Sequence, residues 1–167
     1  IVHLFLMRNL KLELNSLETT DYVARKMAED LFKGTIMLFW GDMGSGKTTF
    51  IKSLCSGLGI LPEKVTSPTY TLVNIYKCNW LIFHVDLFRL TAPEQLYDMD
   101  RADMIADEGI TMVEWPQLLQ NYLTDESVIN LRFSTVSEHH RKLILDTESS
   151  DFDTLFNTME QQNFYRG

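Results

Sequence analysis

The order of apolar and polar positions predicts a strand, a helix and a second strand between positions 10 and 40. Residues 10–14 alternate leucine with charged side chains, which is typical of a strand with one wet face at the edge of a sheet. From position 21 to position 31 apolar residues recur at helical spacing, and Lys33 and Gly34 end that helix. Candidate caps before it are Asn15, Ser16, Thr19 and Thr20. Thr35–Trp40 is an apolar run, as expected of a central strand that is covered on both faces.

Further apolar runs of strand length follow, and two of the intervals between them are short enough for hairpins. The predicted strands are 71–76 with 80–85, 110–114, and 128–133 with 142–145. Short helices are predicted at 92–97, 116–122 and 152–159. We therefore expect one α/β domain over residues 1–150, with antiparallel hairpins added to a parallel core, and a short C-terminal helix and tail at 151–167. The sequence shows no linker and no internal repeat.

Composition and charge narrow the class of protein. The chain has 167 residues, of which 45% are apolar, so it is long enough to bury a core without metals or disulfides. Its net charge of −8 argues against broad, nonspecific nucleic-acid binding, although an RNA held by a partner is compatible with it. Cys55 and Cys78 lack paired spacing and are typical of reduced residues. The apolar start at 1–7 is interrupted by His3 and indicates neither a signal peptide nor a membrane span, so we expect a cytoplasmic protein.

Residues 41–48 have the sequence GDMGSGKT, which fits the phosphate-binding pattern of glycine, four residues, glycine, lysine and serine or threonine. An apolar strand precedes this loop and a predicted helix at 49–55 follows it. Glycines let successive N–H groups wrap a phosphate, Lys47 reaches the outer phosphates, and Thr48 offers a hydroxyl to Mg²⁺. The alternative is a chance glycine turn between a strand and a helix. The correct elements on both sides favour the phosphate loop.

Two apolar strands each end in a carboxylate, Asp86 and Glu114. Ligands of open α/β sheets gather at the carboxyl ends of the strands, so we expect both acids beside the phosphate loop. There they suit a Mg²⁺ site or the orientation of a water molecule. The structural alternative for Asp86 is a cap of the next turn or an ion pair with Arg89. His84, in the same strand as Asp86, is more typical of a satisfied core residue than of a catalytic base.

The connector at 65–70 follows the first helix after the phosphate loop and holds hydroxyl-bearing residues on both sides of Pro68. In phosphate-loop switches this connector senses Mg²⁺ and the terminal phosphate. A plain Ser-Pro turn explains the same residues equally well. Trp115, which follows Glu114, is either a packing residue or part of a surface that changes with nucleotide state.

Taken together, four stretches of the chain resemble one family, the bacterial TsaE (YjeE) P-loop ATPases. The stretches are GDMGSGKTT at 41–49, SPTYTLV at 67–73, HVDLFRL at 84–90 and VEWP at 113–116. They keep the family's order and nearly its spacing from about residue 10 to residue 145, while the tail beyond Ser149 lies outside the resemblance. The phosphate loop occurs in many families, whereas its combination with SPTY and VEWP is highly specific.

The resemblance implies a P-loop NTPase-like three-layer sandwich with a mixed, mostly parallel central sheet. It also implies a protein that binds ATP and ADP, hydrolyses ATP slowly with Mg²⁺, and is required for threonylcarbamoyladenosine modification of tRNA. In that family the ATPase associates with TsaD and TsaB subunits and resets their complex between turnovers. The resemblance therefore implies that the protein meets tRNA only indirectly and does not act at a membrane.

The same resemblance implies roles for individual residues. Lys47, Asp86 and Glu114 are the catalytic candidates, with Asp86 acting on water or metal. Thr48, Glu114 and Asp86 are the candidate Mg²⁺ ligands. Residues 67–70 form the switch-like segment. The candidate nucleotide contacts are Ser16, Asp42, Met43, Gly44, Ser45, Gly46, Lys47, Thr48, Thr49 and Arg141.

Other classes of phosphate-loop protein are alternatives. A GTPase switch would need an Asn-Lys-x-Asp motif to read guanine and an Asp-x-x-Gly motif after the first hairpin, and the sequence contains neither. A small-molecule kinase generally needs a lid with several arginines, whereas Arg89, Arg101, Arg132 and Arg141 are scattered through this chain. A nucleotide-dependent binding module with incidental hydrolysis differs from the leading interpretation only in degree.

Overall fold

A computed structural model describes residues 7–119, 121–124 and 126–162. The predictions about the apolar run at 1–6 and about the tail after residue 162 lie outside the described residues.

Among the described residues, seven strands form one sheet in the order β1-β7-β6-β2-β5-β4-β3. The strands are β1 Arg8–Leu14, β2 Thr35–Trp40, β3 Val73–Lys77, β4 Leu81–Asp86, β5 Ile110–Glu114, β6 Val128–Thr135 and β7 Arg141–Thr147. Strands β6, β2, β5 and β4 pair in parallel, whereas β3–β4, β6–β7 and β1–β7 are antiparallel. Strand β1 has the same direction as the four central strands, because β7 is antiparallel to both β1 and β6. Five of the seven strands in the described residues therefore share one direction, and the predicted mixed, mostly parallel sheet is confirmed.

Helices cover both faces of the sheet. They are α1 Leu17–Glu29, α2 Lys47–Gly57, α3 Glu94–Tyr97, α4 Arg101–Met104 and α5 Asp153–Gln161, with 3₁₀ turns at Pro62–Lys64, Pro116–Leu119 and Ser150–Phe152. The apolar sides of α1, α2 and α5 pack against one face of the sheet. Leu96 of α3, Met104 of α4 and Leu119 pack against the other face. The predicted three-layer α/β architecture is confirmed. No helix in the described ranges is both long and apolar enough to cross a membrane.

Several boundaries differ from the sequence-based expectation for local reasons. Helix α1 begins at Leu17 rather than at position 21, because Ser16 caps it and its hydroxyl accepts a hydrogen bond from the amide three residues later at 3.0 Å. Strand β3 begins at Val73 rather than at position 71, because Leu72 has a φ of 69°, far from strand geometry. The predicted helix after β5 is reduced to a 3₁₀ turn.

The pairing of the strands brings the chemistry to one edge of the sheet. Asp86 and Glu114 are the last residues of β4 and β5 and are direct neighbours in the register. The same edge receives the end of β2, since Phe39 pairs with Glu114. Side chains alternate along a strand, so His84 and Asp86 lie on the same face as Ile82, which packs in the core beneath α2. The phosphate loop and both acids therefore meet at the start of α2.

Candidate functional site

The phosphate loop turns from β2 into α2 through backbone conformations that side chains disfavour. Gly46, the N-cap of α2, has a φ of 102°, and Gly41 has a φ of 141°. A Cβ on Gly41 would lie 2.8 Å from the carbonyl oxygen of Phe133 and 2.7 Å from Ser45 Oγ, so a side chain does not fit there. The shape of the loop therefore depends on these glycines.

The start of α2 has no side-chain cap. The first amide groups of a helix lack partners within the helix and need a capping group, water or a ligand. Helix α2 spans 11 residues, and its dipole places partial positive charge at the same end. The start of α2 is therefore suited to an anion such as a phosphate.

Lys47 is buried against the loop, with only 4% of its surface exposed. Its Nζ donates hydrogen bonds to the carbonyl oxygens of Gly41 at 2.7 Å and Asp42 at 2.9 Å. Because an ammonium has three N–H donors, one remains for a phosphate oxygen. Burial lowers the pKa of Lys47, and the charges of Glu114, Asp42 and Asp86 oppose part of that shift. An anionic ligand would stabilise this buried cation.

Glu114 connects the phosphate loop to the sheet. Its Oε2 and Oε1 atoms accept hydrogen bonds from Thr48 Oγ1 at 3.0 and 3.2 Å. On its other side, Oε1 lies 2.8 Å from His84 Nε2. Both Glu114 and His84 are buried. The structure thus brings together Thr48 and Glu114, whose roles as Mg²⁺ ligands stay predictions.

Asp86 is held by the connector. Its Oδ2 accepts hydrogen bonds from Thr69 Oγ1 at 2.8 Å and from Ser67 Oγ at 3.4 Å, and its Oδ1 accepts one from the backbone amide two residues later at 2.9 Å. Asp86 therefore caps the turn after β4 and also ties residues of the 65–70 connector to the site. Among the described residues it forms no ion pair with Arg89, which lies over a tyrosine ring, 5.4 Å from its centroid.

Trp115 covers the ammonium of Lys47. The Nζ atom lies 4.2 Å from the centroid of the indole, and the indole packs against the ring of Phe88 at 5.0 Å. Trp115 has a φ of 58°, a left-handed conformation that bulky residues rarely adopt. Trp115 therefore lies beside the candidate site, as its position after Glu114 predicts.

A cavity of about 430 Å³ opens above these residues. The predicted site residues that line it are Met43, Gly44, Gly46, Lys47, Thr48, Thr49, Asp86, Glu114 and Arg141. Three other predicted contacts do not line it. Ser16 caps α1, Asp42 offers its backbone oxygen to the lysine, and Ser45 is buried with no hydrogen-bond partner for its Oγ among the described residues.

Arg141, the first residue of β7, brings a second cation to the loop. Its Nη2 lies 3.5 Å from the carbonyl oxygen of Gly44, and its Nη1 donates a hydrogen bond to the carbonyl oxygen of Ser137 at 2.7 Å. Its Nε is buried and has no partner among the described residues. Arg141 is therefore placed to meet an anion that lies on the loop, although that role stays a prediction.

The oxygen donors of the site fit Mg²⁺. Within residues 7–162 as described, no three His, Cys, Asp or Glu side chains form a group that could hold a metal by themselves. Mg²⁺ at nucleotide sites needs no such group, because it keeps water molecules and binds substrate phosphates together with one or two protein oxygens. Thr48 Oγ1 and the Glu114 carboxylate are neighbouring oxygens of this kind.

Sequence reasoning misjudged or missed several residues of this site. His84 is a buried core residue, as expected, and its Nε2 contacts Glu114, but its buried Nδ1 has no partner among the described residues, so it is not fully satisfied. The sequence did indicate that His84 faces the site, since His84 and Asp86 are two positions apart on a strand and so face the same side. Leu17 and Thr20 of α1 also line the cavity, and the helical pattern does not distinguish them from other residues of that helix.

Comparisons with known proteins agree on one family. A family model described as threonylcarbamoyl adenosine biosynthesis protein TsaE matches residues 14–143. The tRNA threonylcarbamoyladenosine biosynthesis protein TsaE of Rickettsia felis is 30% identical over 139 residues, which cover 83% of this chain and 80% of that protein. The protein of the same name from Synechocystis sp. is 40% identical over 114 residues, covering 64% of this chain and 69% of that protein.

A solved structure has the same fold. The crystal structure of Bacillus subtilis YdiB matches with a TM-score of 0.72 and covers 95% of this chain and 98% of that chain. The two sequences are 22% identical, so this likeness establishes the fold alone.

Proposed function

The chain belongs to the TsaE family, and we propose that it is a Mg²⁺-dependent, slow ATPase that supports threonylcarbamoyladenosine modification of tRNA. The single observation that carries this proposal is the meeting of Lys47, Thr48 and Glu114 at the uncapped start of α2, within one cavity. The family is described as a threonylcarbamoyl adenosine biosynthesis protein, which supports the pathway, and the geometry of the site supports the chemistry.

The loop and α2 would bind the phosphates of ATP or ADP. Backbone N–H groups at the start of α2 would bind the inner phosphates, and the remaining N–H of Lys47 would donate to an outer phosphate oxygen. Arg141 approaches the loop from β7 and adds positive charge beside Gly44. These donors are already held in place by the fold, so little ordering is needed when the phosphates arrive.

Thr48 and Glu114 would hold Mg²⁺ next to those phosphates. The ion, when bound, neutralises charge on the phosphate oxygens and so favours phosphoryl transfer to water. Glu114 already contacts Thr48 at 3.0 Å, and both residues line the cavity. Each of the two oxygens could therefore occupy one ligand position of the ion. Mg²⁺ prefers such carboxylate and hydroxyl oxygens over nitrogen ligands.

Asp86 would orient the attacking water or bind the metal through water. It lies in the register next to Glu114, and its carboxylate lines the same cavity. Its hydrogen bonds to Thr69 and Ser67 link it to the connector, so a change at the phosphates can change the connector. This link supports the switch interpretation of residues 67–70 over a plain Ser-Pro turn.

The two alternative nucleotide functions have less support. Arg101 forms ion pairs with Asp107 and Glu126, and Arg132 forms one with Asp146, so neither is available for the lid of a small-molecule kinase. Guanine-reading motifs are absent from the whole sequence. Comparing the affinities for ATP and GTP by calorimetry separates an ATPase from a GTPase switch directly.

The partners that we propose are TsaD- and TsaB-type subunits of a tRNA-modifying complex in the cytoplasm. The net charge of −8 makes direct, nonspecific binding of tRNA unfavourable, so the chain would meet tRNA through those subunits. ATP hydrolysis in this chain would then reset the complex between rounds of modification.

Reconstitution tests the proposal. Purified TsaD- and TsaB-type subunits, tRNA, ATP and the substrates of the reaction are incubated with or without this chain, and modified nucleoside per complex is counted over several turnovers. We expect more than one turnover only when the chain is present, and no rescue by a Lys47→Met variant. Equal multiple-turnover yields with and without the chain would refute the proposed function.

A further inference from the structure

We propose that His84 is a positioning residue that holds the carboxylate of Glu114 in place for Mg²⁺. The inference rests on the proposed function, because it assigns His84 to the same metal-nucleotide site. His84 does not line the cavity, so it would act through Glu114 rather than on the nucleotide.

The geometry places His84 directly behind the carboxylate. His84 is fully buried in β4, and its Nε2 lies 2.8 Å from Glu114 Oε1. On the side of α2, the same carboxylate accepts hydrogen bonds from the hydroxyl of Thr48. Glu114 is therefore held between the sheet and the phosphate loop.

The surroundings of the ring assign its proton. Nδ1 is buried and has no hydrogen-bond partner among the described residues, whereas Nε2 faces a carboxylate oxygen. A proton on Nδ1 alone would leave a buried donor unpaired and set the Nε2 lone pair against the carboxylate. Nε2 therefore carries the N–H and donates a hydrogen bond to Glu114 Oε1.

This hydrogen bond limits the freedom of a side chain that has three rotatable bonds. With Oε1 fixed by His84, the remaining lone pairs of the carboxylate are directed towards Thr48 and the cavity. Histidine and carboxylate partners behind metal ligands commonly orient them, and their loss costs about 10- to 100-fold in metal affinity. The alternative is a packing role, in which His84 only fills space in the core; its ring centroid lies 6.4 Å from that of Tyr76.

Three substitutions distinguish a hydrogen-bonding role of His84 from a packing role. His84→Gln keeps an N–H donor at about the reach of Nε2, His84→Asn offers a donor only at the reach of Nδ1, and His84→Leu offers none. All three remove the ring, so a pure packing role predicts losses that follow volume and shape. A positioning role predicts that the Gln variant alone retains Mg²⁺ binding.

The experiment is calorimetric titration of ADP into each folded protein across a series of Mg²⁺ concentrations. We expect the Leu and Asn variants to bind Mg²⁺ with about 10- to 100-fold lower affinity in the presence of ADP, and the Gln variant to stay close to wild type. All three variants should keep the metal-free ADP affinity. In a Glu114→Gln background, His84→Leu should have no further effect on Mg²⁺ dependence.

A readout without ligand accompanies the titration. The ¹⁵N-labelled protein should show a slowly exchanging, downfield imidazole N–H proton on Nε2 of His84, and this resonance should move in Glu114→Gln. If the Leu variant does not fold, the Gln and Asn pair alone decides the matter.

The outcomes distinguish this inference from the proposed function. Wild-type protein without Mg²⁺-dependent nucleotide binding overturns both. Wild-type binding that survives equally in the Leu, Asn and Gln variants overturns the positioning role alone. Equal loss in all three variants, or loss of metal-free ADP affinity, assigns His84 to packing and also overturns it.

Discussion

Replacing Lys47 with methionine should weaken ATP binding by about 10- to 150-fold while the protein stays folded. Two N–H groups of the ammonium bond to carbonyl oxygens of the loop, at 2.7 and 2.9 Å, and we expect the third to bond to a phosphate oxygen. A hydrogen bond to a charged group contributes about 1.5–3 kcal/mol, which corresponds to that range of affinity.

Folding should change much less, because the substitution removes favourable and unfavourable contributions together. Methionine loses the two hydrogen bonds and the contact between the ammonium and Trp115. It also removes the desolvation of a buried charge, and it fills most of the same space. The lost hydrogen bonds and the relieved desolvation oppose each other, so we expect a net change within about 1 kcal/mol in a urea titration.

The matched control is Lys52→Met. Lys52 lies on the same helix but is exposed, so both variants lose one positive charge and only one of them faces the loop. ATP is titrated calorimetrically into wild type and both variants at constant Mg²⁺ and ionic strength. A Lys47→Met affinity within about threefold of wild type, or an equal loss in both variants, would refute the phosphate contact.

The same substitution tests the lowered pKa of Lys47. Burial holds this pKa below the ordinary value of 10.5, so the unfolded chain binds the proton more tightly than the folded protein does. The charge therefore costs stability at neutral pH, and the cost is relieved as the pH rises through the lowered pKa towards 10.5. Over this pH window the unfolding free energy of wild type should therefore rise relative to that of Lys47→Met. A constant difference would show that the ammonium is not desolvated.

Three further predictions concern packing. Phe50→Ala should lower the unfolding free energy by about 3–5 kcal/mol, because Phe50 is fully buried; a loss below about 1 kcal/mol in urea would contradict this. Gly57→Ala should cost about 1–3 kcal/mol, since its Cβ would lie 2.7 Å from that of Ala28, and an unchanged denaturation midpoint would argue against that contact. Burial raises the pKa of Cys55 to about 12, so iodoacetamide should modify half-buried Cys78 first; equal rates by mass spectrometry would disprove the burial.

The phosphate loop and its flanking elements were predictable because their determinants are local. Gly41 and Gly46 need positive φ angles, and the neighbouring strand and helix differ clearly in apolar spacing. The acids at positions 86 and 114 were predictable as strand ends, because parallel strands bring their carboxyl ends to one edge. The order of the strands in the sheet did not follow from these local patterns.

Contacts between distant residues account for what the sequence could not predict. His84 and Glu114 are thirty positions apart, and only the register of β4 against β5 brings them together. The left-handed conformation of Trp115 gives no signal in the sequence, since this region normally favours glycine. The start of α1 was predicted too late because several polar residues before position 21 are candidate caps, and the apolar spacing does not show that Ser16 is the one that caps the helix.

The most direct test of the account is a crystal structure of the protein with Mg²⁺ and a non-hydrolysable ATP analogue. The account predicts phosphates bound by the N–H groups at the start of α2, the ammonium of Lys47 on an outer phosphate, and Mg²⁺ coordinated by Thr48 and Glu114. A nucleotide bound away from the loop, or Mg²⁺ with neither Thr48 nor Glu114 in reach, would contradict it.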